Sequence, residues 1–230
     1  MALKRTNKKF ILGIAVASVL PFSFFILAKA LKKDHIEMPG HYRVERVEAS
    51  GDTVWHQVGD FTGVTQTGQQ ISINKDLSGK VVAVTAFFAT CTDVCPQLNS
   101  NLALIQKAFR RTARRSNDTM VQIVSISTTP EQDSVPVLWD YAARYKANPD
   151  RWWFIRGDKK ATNHYLLQEL KLTGGDGGGG ADDLMHSQTI VLLDKHRNIR
   201  GYYDGLDPVQ VKKCADDIVL LALEKERHKR

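Results

Sequence analysis

Two cysteines in the stretch 88-FATCTDVCPQ-97 stand four positions apart, at the end of an apolar run, with a proline directly after the second. Cys91 and Cys95 admit four readings: a structural disulfide, a reversible redox couple, a metal clamp, or two inert buried thiols. At a strand-to-helix junction, a helix N-terminus would offer unpaired N–H groups and partial positive charge. Both stabilise a thiolate and lower its pKa. Residues i and i+4 of a helix share one face with Cβ atoms ~5–6 Å apart, whereas a disulfide wants them nearer ~3.8 Å. A pair held in regular helix must therefore distort to close. Two sulfurs sharing one metal, each at ~2.3 Å by analogy with zinc, fit with less adjustment. Dithiol enzymes use a two-residue spacer. The three-residue spacer here favours a metal and leaves a reversible disulfide open.

A metal needs further ligands, and 184-LMHSQTIVLLD-194 offers His186 just before a buried apolar run. In a thioredoxin-type sheet the loop before that strand faces the cysteine site, and an oxidoreductase carries a cis-proline there. This chain has no proline between Pro149 and Pro208. Cys91, Cys95 and His186 would form a soft, three-coordinate set. Thiolates select Cu(I) or zinc; structural zinc normally wants four protein ligands, and there is no second cysteine pair, so copper is the better match. Met185 reads as packing rather than as an extra ligand. Asp93, between the cysteines, is either a thiol-orienting group or a plain turn residue. Cys214 falls in a helical pattern with Ile218 and Leu221 and reads as a buried thiol.

The elements that must position these groups are legible as periodicities. The segment 59-GDFTGVTQTGQQISINKDLSGK-80 reads as a hairpin, and 81-VVAVTAFF-88 as a strand buried on both faces. Leu98, Leu102, Ile105 and Phe109 follow at helical spacing, with Pro96 suited to the first turn. A second buried strand is expected at 121–127, helices at 134–146 and 160–172, and strands at 152–155, 189–194 and 199–204. A last helix at 208–226 opens on Asp207-Pro208 as cap and first residue. Strand-helix-strand units followed by a hairpin and a final helix predict an α/β, thioredoxin-like fold, a central mixed sheet flanked by helices.

The net charge of +7 belongs to the N-terminus: residues 1–33 carry seven basic side chains and no acid, and the rest balances 25 basic against 25 acidic residues. No basic field remains to drive nucleic-acid binding. Residues 10–28 form 19 positions without a charge, roughly 28 Å as a helix and close to the ~30 Å hydrocarbon core. We expect an uncleaved transmembrane anchor there, and the first cysteine, Cys91, leaves no earlier site for lipid attachment. The expected organisation is a cytoplasmic N-terminus (1–9), an anchor (10–28), a linker and entry strand (29–55), a thioredoxin-like domain (56–226) and a charged tail (227–230). The charge asymmetry favours a single-pass protein of the bacterial cytoplasmic membrane with its domain exported to the periplasm or cell exterior.

The combination GDF…DLSGKVVAVTAFFATCTDVCPQL…VSISTTPEQD…LMHSQTIVLLD resembles the SCO/SenC family of copper-handling, membrane-anchored, thioredoxin-like proteins over residues 58–205. The resemblance implies that Cys91 and Cys95 are the paired thiols, and His186 the third ligand of a copper ion, Cu(I) or Cu(II). It implies a metallochaperone for the dinuclear CuA site of cytochrome c oxidase, with the copper-site subunit of that oxidase as partner and another periplasmic copper chaperone or thiol reductant as a further one. The alternative it carries is a thiol-disulfide oxidoreductase cycling Cys91 and Cys95. The sequence departs from the family where many members have proline after the first cysteine, here Thr92. It departs again in the Ser-x-Asp-Pro turn, here 127-STTP-130 with Thr129 in the acidic position.

Overall fold

The structure is a computed structural model that describes residues 17–19, 22–23, 26, 37–112, 120–172, 184 and 187–224. The chain divides into two compact units, Met1–Glu37 and Met38–Arg230. Among the described residues no helix is long and apolar enough to cross a membrane. Most of the expected anchor at 10–28 lies outside those residues, as do the glycine run 174–180, Met185, His186 and the tail from 225 onward.

In the second unit, a small antiparallel pair, β1 (Val44–Val47) and β2 (Thr53–Trp55), precedes a seven-stranded sheet. That sheet comprises β3 (Thr62–Thr65), β4 (Gln70–Ser72), β5 (Val81–Phe87), β6 (Val121–Ser127), β7 (Trp152–Arg156), β8 (Thr189–Leu193) and β9 (Ile199–Asp204), in the order β4-β3-β7-β6-β5-β8-β9. β5, β6 and β7 run parallel, while β3, β4, β8 and β9 make antiparallel contacts, giving the mixed sheet expected. The hairpin read at 59–80 is β3–β4, turning through Gly68 at φ 81.

Every residue of β5 is buried, because helices cover both sheet faces. Val81, Ala83 and Phe87 pack on one face and Val82, Val84 and Ala86 on the other, following the two-residue strand period. The first face is covered by α2 (Val94–Thr112), α3 (Val135–Arg144) and α5 (Pro208–Leu223); the second by the short α1 (Ile73–Asp76) and by the residues that follow α4 (Lys159–His164), Tyr165, Leu166, Leu170 and Leu172. The helix expected at 160–172 does not stay regular: after His164 it widens into a π turn, Tyr165–Glu169, with Tyr165 and Leu166 driven into the core. Asp207 caps α5 by accepting from the Val209 N–H at 2.9 Å, as its sequence announced.

Candidate metal centre

β5 ends at Phe87 and α2 begins at Val94, so Cys91 lies in the connecting turn and Cys95 is the second residue of the helix. The premise that both thiols ride one regular helix face is therefore corrected. The chain approaches α2 from the sheet, and the Cys91 N–H closes a turn on the Phe88 carbonyl at 3.2 Å. The Cys91 sulfur then accepts the Cys95 N–H at 3.3 Å, serving one of the donors that a helix start leaves unpaired. The separation of the two thiols is set by this turn, not by helical geometry. A disulfide between them would therefore not have to strain the helix, and both cysteines are free thiols here.

The electrostatic expectation also reverses for one of them. Cys95 is 1% exposed, and burial pushes its thiol up to about 12, helped by the hydrogen bond to Cys91. The backbone N–H groups of Phe88 and of Cys95 itself act in the opposite direction but do not prevail. The helix N-terminus stabilises charge within its first turn, yet removing water from a thiolate costs more. Cys95 is therefore a neutral thiol at pH 7, and a metal that binds it must displace its proton. Cys91, at 9%, is the more accessible of the two.

The antiparallel register of β5 with β8 pairs Val84 with Val191 and Val82 with Leu193. Continued, it sets Gln188 opposite Phe87, at the sheet end where the Cys91 turn begins. Gln188 is held there, its carbonyl accepting the Gly205 N–H at 2.8 Å and its side-chain amide donating to Asp204 at 2.9 Å. His186 is two positions earlier in the chain and, with Met185, outside the described residues. The structure thus brings Cys91 and Cys95 together. Among the described residues no three His, Cys, Asp or Glu side chains form a group that would hold a metal. Asp93 is exposed. Cys214 is fully buried on the α5 inner face, its thiol pushed up to about 12 by burial and then by Asp217, as a packing residue should be.

Asp133 was not legible as part of this end of the sheet. It precedes the α3 N-cap Ser134, is 1% exposed, and accepts from the Ala89 N–H at 3.3 Å, the Ser127 hydroxyl at 2.5 Å and the Thr129 hydroxyl at 3.2 Å. The signal in the sequence is the hydroxyl run 127-STT-129 shortly before an acid at a helix start.

A sequence profile described as SCO1/SenC matches residues 51–221. The chain belongs to the SCO1/SenC family. The SCO1 protein homolog of Bacillus subtilis (strain 168) is 24% identical over 168 residues, 73% of this chain and 83% of that relative. The structure of BsSco, in which a disulfide switch was identified and which is a member of the Sco family of cytochrome c oxidase assembly proteins, is 22% identical. It covers 80% of this chain and 100% of its own, with a TM-score of 0.62. The crystal structure of yeast Sco1 with copper bound is 20% identical and covers 75% of this chain and 96% of its own, with a TM-score of 0.54. These structural likenesses establish that the SCO1/SenC chain described here has the thioredoxin-like Sco fold.

Proposed function

We infer that this SCO1/SenC chain is a copper-binding metallochaperone that holds copper at Cys91, Cys95 and His186 and delivers it to the dinuclear CuA site of cytochrome c oxidase during assembly. The observation that carries this reading is the pair of free, neighbouring thiols at the end of β5, beside the entry to β8. Two thiolates and one imidazole suit Cu(I), and a three-coordinate ion keeps a position open for an incoming ligand. The copper in the yeast relative and the oxidase-assembly role of the BsSco family support it. Loading copper is a proton-coupled step, because Cys95 arrives protonated. The apolar span at 10–28 supports a single-pass anchor in the bacterial cytoplasmic membrane with the domain outside the cytoplasm, where copper-site subunits are reached.

A second reading, thiol-disulfide exchange that keeps target cysteines reduced, is favoured by one observation: Cys91 lies outside the helix, so the pair can close without breaking α2. Cu(I) titration of the reduced fragment 34–230 against a competing chelator separates the two. The metallochaperone binds one equivalent tightly, and both His186→Ala and Cys91→Ser weaken it by at least a hundredfold, about 2.7 kcal/mol. Absence of tight binding in the unsubstituted fragment, with dithiol exchange intact, would establish the second reading instead.

A further inference from the structure

We propose that Asp133 is a positioning residue for the thiol pair, a buried carboxylate that holds the Cys91 turn in its dithiol geometry and so sets how readily Cys91 and Cys95 oxidise. The inference rests on the reading of Cys91 and Cys95 as the functional pair. Three chain segments converge on this one side chain. The β5–α2 turn gives the Ala89 N–H, two residues before Cys91, which lies 3.3 and 3.4 Å from the two carboxylate oxygens. The end of β6 gives the Ser127 and Thr129 hydroxyls. The start of α3 supplies Asp133 itself, whose own N–H is fixed on the Thr129 carbonyl at 3.0 Å.

The partners Asp133 has among the described residues are N–H and O–H dipoles. The Lys159 ammonium donates to the Thr128 carbonyl. A carboxylate taken out of water is tolerable only when such donors satisfy it, and at 1% exposure it has no solvent to fall back on. Its geometry is therefore stiff, and it transmits that stiffness to Ala89. From Ala89 the chain has one free residue, Thr90, before the Cys91 turn on Phe88. The Thr128 N–H adds a second tie between the same segments, to the Phe87 carbonyl at 2.8 Å. In the conformation so held, the Cys91 sulfur accepts the Cys95 N–H, which is an arrangement of two separate thiols. Closing the disulfide turns the Cys91 sulfur from that N–H toward the Cys95 sulfur and must move the turn that Asp133 fixes.

An acceptor-only group is required at this position. Both hydroxyls bond the same oxygen, so an amide at 133 would keep its single oxygen there and turn its NH2 toward the Ala89 N–H, which now lies 3.3 Å from the other oxygen; donor would face donor, and the tie to the β5–α2 turn would weaken. Asp133→Asn should therefore release the turn with almost no change of volume, and the released turn should oxidise more readily.

The test is the equilibrium of the reduced fragment with a glutathione buffer, in which the two thiols lose two hydrogens to glutathione disulfide and yield two glutathione molecules. Asp133→Asn should shift this equilibrium toward the Cys91–Cys95 disulfide by about tenfold, the amount that one lost buried hydrogen bond represents, while cooperative urea unfolding persists. An unchanged equilibrium in a folded variant would reduce Asp133 to a stability residue and overturn the proposal, as would a shift toward the dithiol. If Asp133→Asn fails to fold, Thr129→Val removes one donor and leaves the carboxylate bonded to Ala89. It should give a two- to threefold shift in the same direction, and no shift would again overturn the proposal. The readout does not depend on copper. If the unsubstituted fragment binds no Cu(I), the chaperone reading fails while the role of Asp133 is still decided.

Discussion

The two ends of the central sheet are built from opposite materials. At the carboxyl end of β5 and β6, the buried charge among the described residues is one carboxylate, Asp133, held by dipoles beside two thiols. At the other end stand two buried guanidinium groups. Arg200, 3% exposed, donates to the Pro39 carbonyl at 2.7 Å and the Gly40 carbonyl at 3.0 Å, and pairs with Asp194 at 3.2 Å and Glu224 at 2.9 Å. Arg197 spans the carbonyls of Ile73, Leu77 and Lys80. An arginine fork carries five donors and links several segments at once. That end locks the start of the compact unit and the end of α5 to β8 and β9. Among the described residues the buried charge at the thiol end has fewer such ties, and it is the end at which the proposed copper site would gain and give up its ligands. Residues at the two ends are separated by most of a seven-residue strand, roughly 20 Å, far enough for their energies to add independently.

The largest expected effect lies at the locked end. Arg200→Ala leaves Asp194 buried without its cation and should lower stability by about 3–5 kcal/mol in urea unfolding, with the alkylation rate of Cys91 changed less than twofold under native conditions. A parallel rise in alkylation would mean that the ends are coupled and the contrast drawn here is wrong.

Next comes overpacking at the thiol end. A Cβ at Gly205 would lie 2.1 Å from Leu98 Cδ1 and 2.8 Å from the Gln188 carbonyl. Gly205→Ala should cost about 1–3 kcal/mol and, unlike Arg200→Ala, should also weaken Cu(I) binding, since it displaces the segment entering β8. The chelator competition assay reads that difference.

Asp207→Ala removes the α5 cap and should cost about 1 kcal/mol, again measured in urea. The smallest difference is one of slope. Cys95 and Cys214 have folded-state pKa values raised from 9.0 to about 12. Between those values the folded chain keeps protons that the unfolded chain has released. Their contribution to stability is full below pH 9 and is lost as pH rises toward 12. Urea midpoints should fall across that window, and less steeply in Cys214→Ala; equal slopes would remove Cys214 from the account.

The sequence alone determined most of the elements and their faces, the π turn after α4 excepted. β5 and β6 are legible because covered parallel strands are apolar throughout, and α2 because Leu98, Leu102 and Ile105 recur at helical spacing and all are buried. Asp207-Pro208 marked the start of α5 through local backbone chemistry. The cysteine pair at the strand-helix junction was likewise a local pattern. Tertiary structure decided what such patterns cannot hold. It set Cys91 in the turn before α2, because the path from β5 into the helix depends on how both pack. It raised the Cys95 thiol, because that residue is buried in a core cluster to which α3, β7, β8 and α5 all contribute, and burial outweighs the helix terminus. It joined Asp133 to Ala89 and Arg200 to Pro39, pairs 44 and 161 residues apart, whose hydrogen bonds exist only once the sheet has ordered its strands.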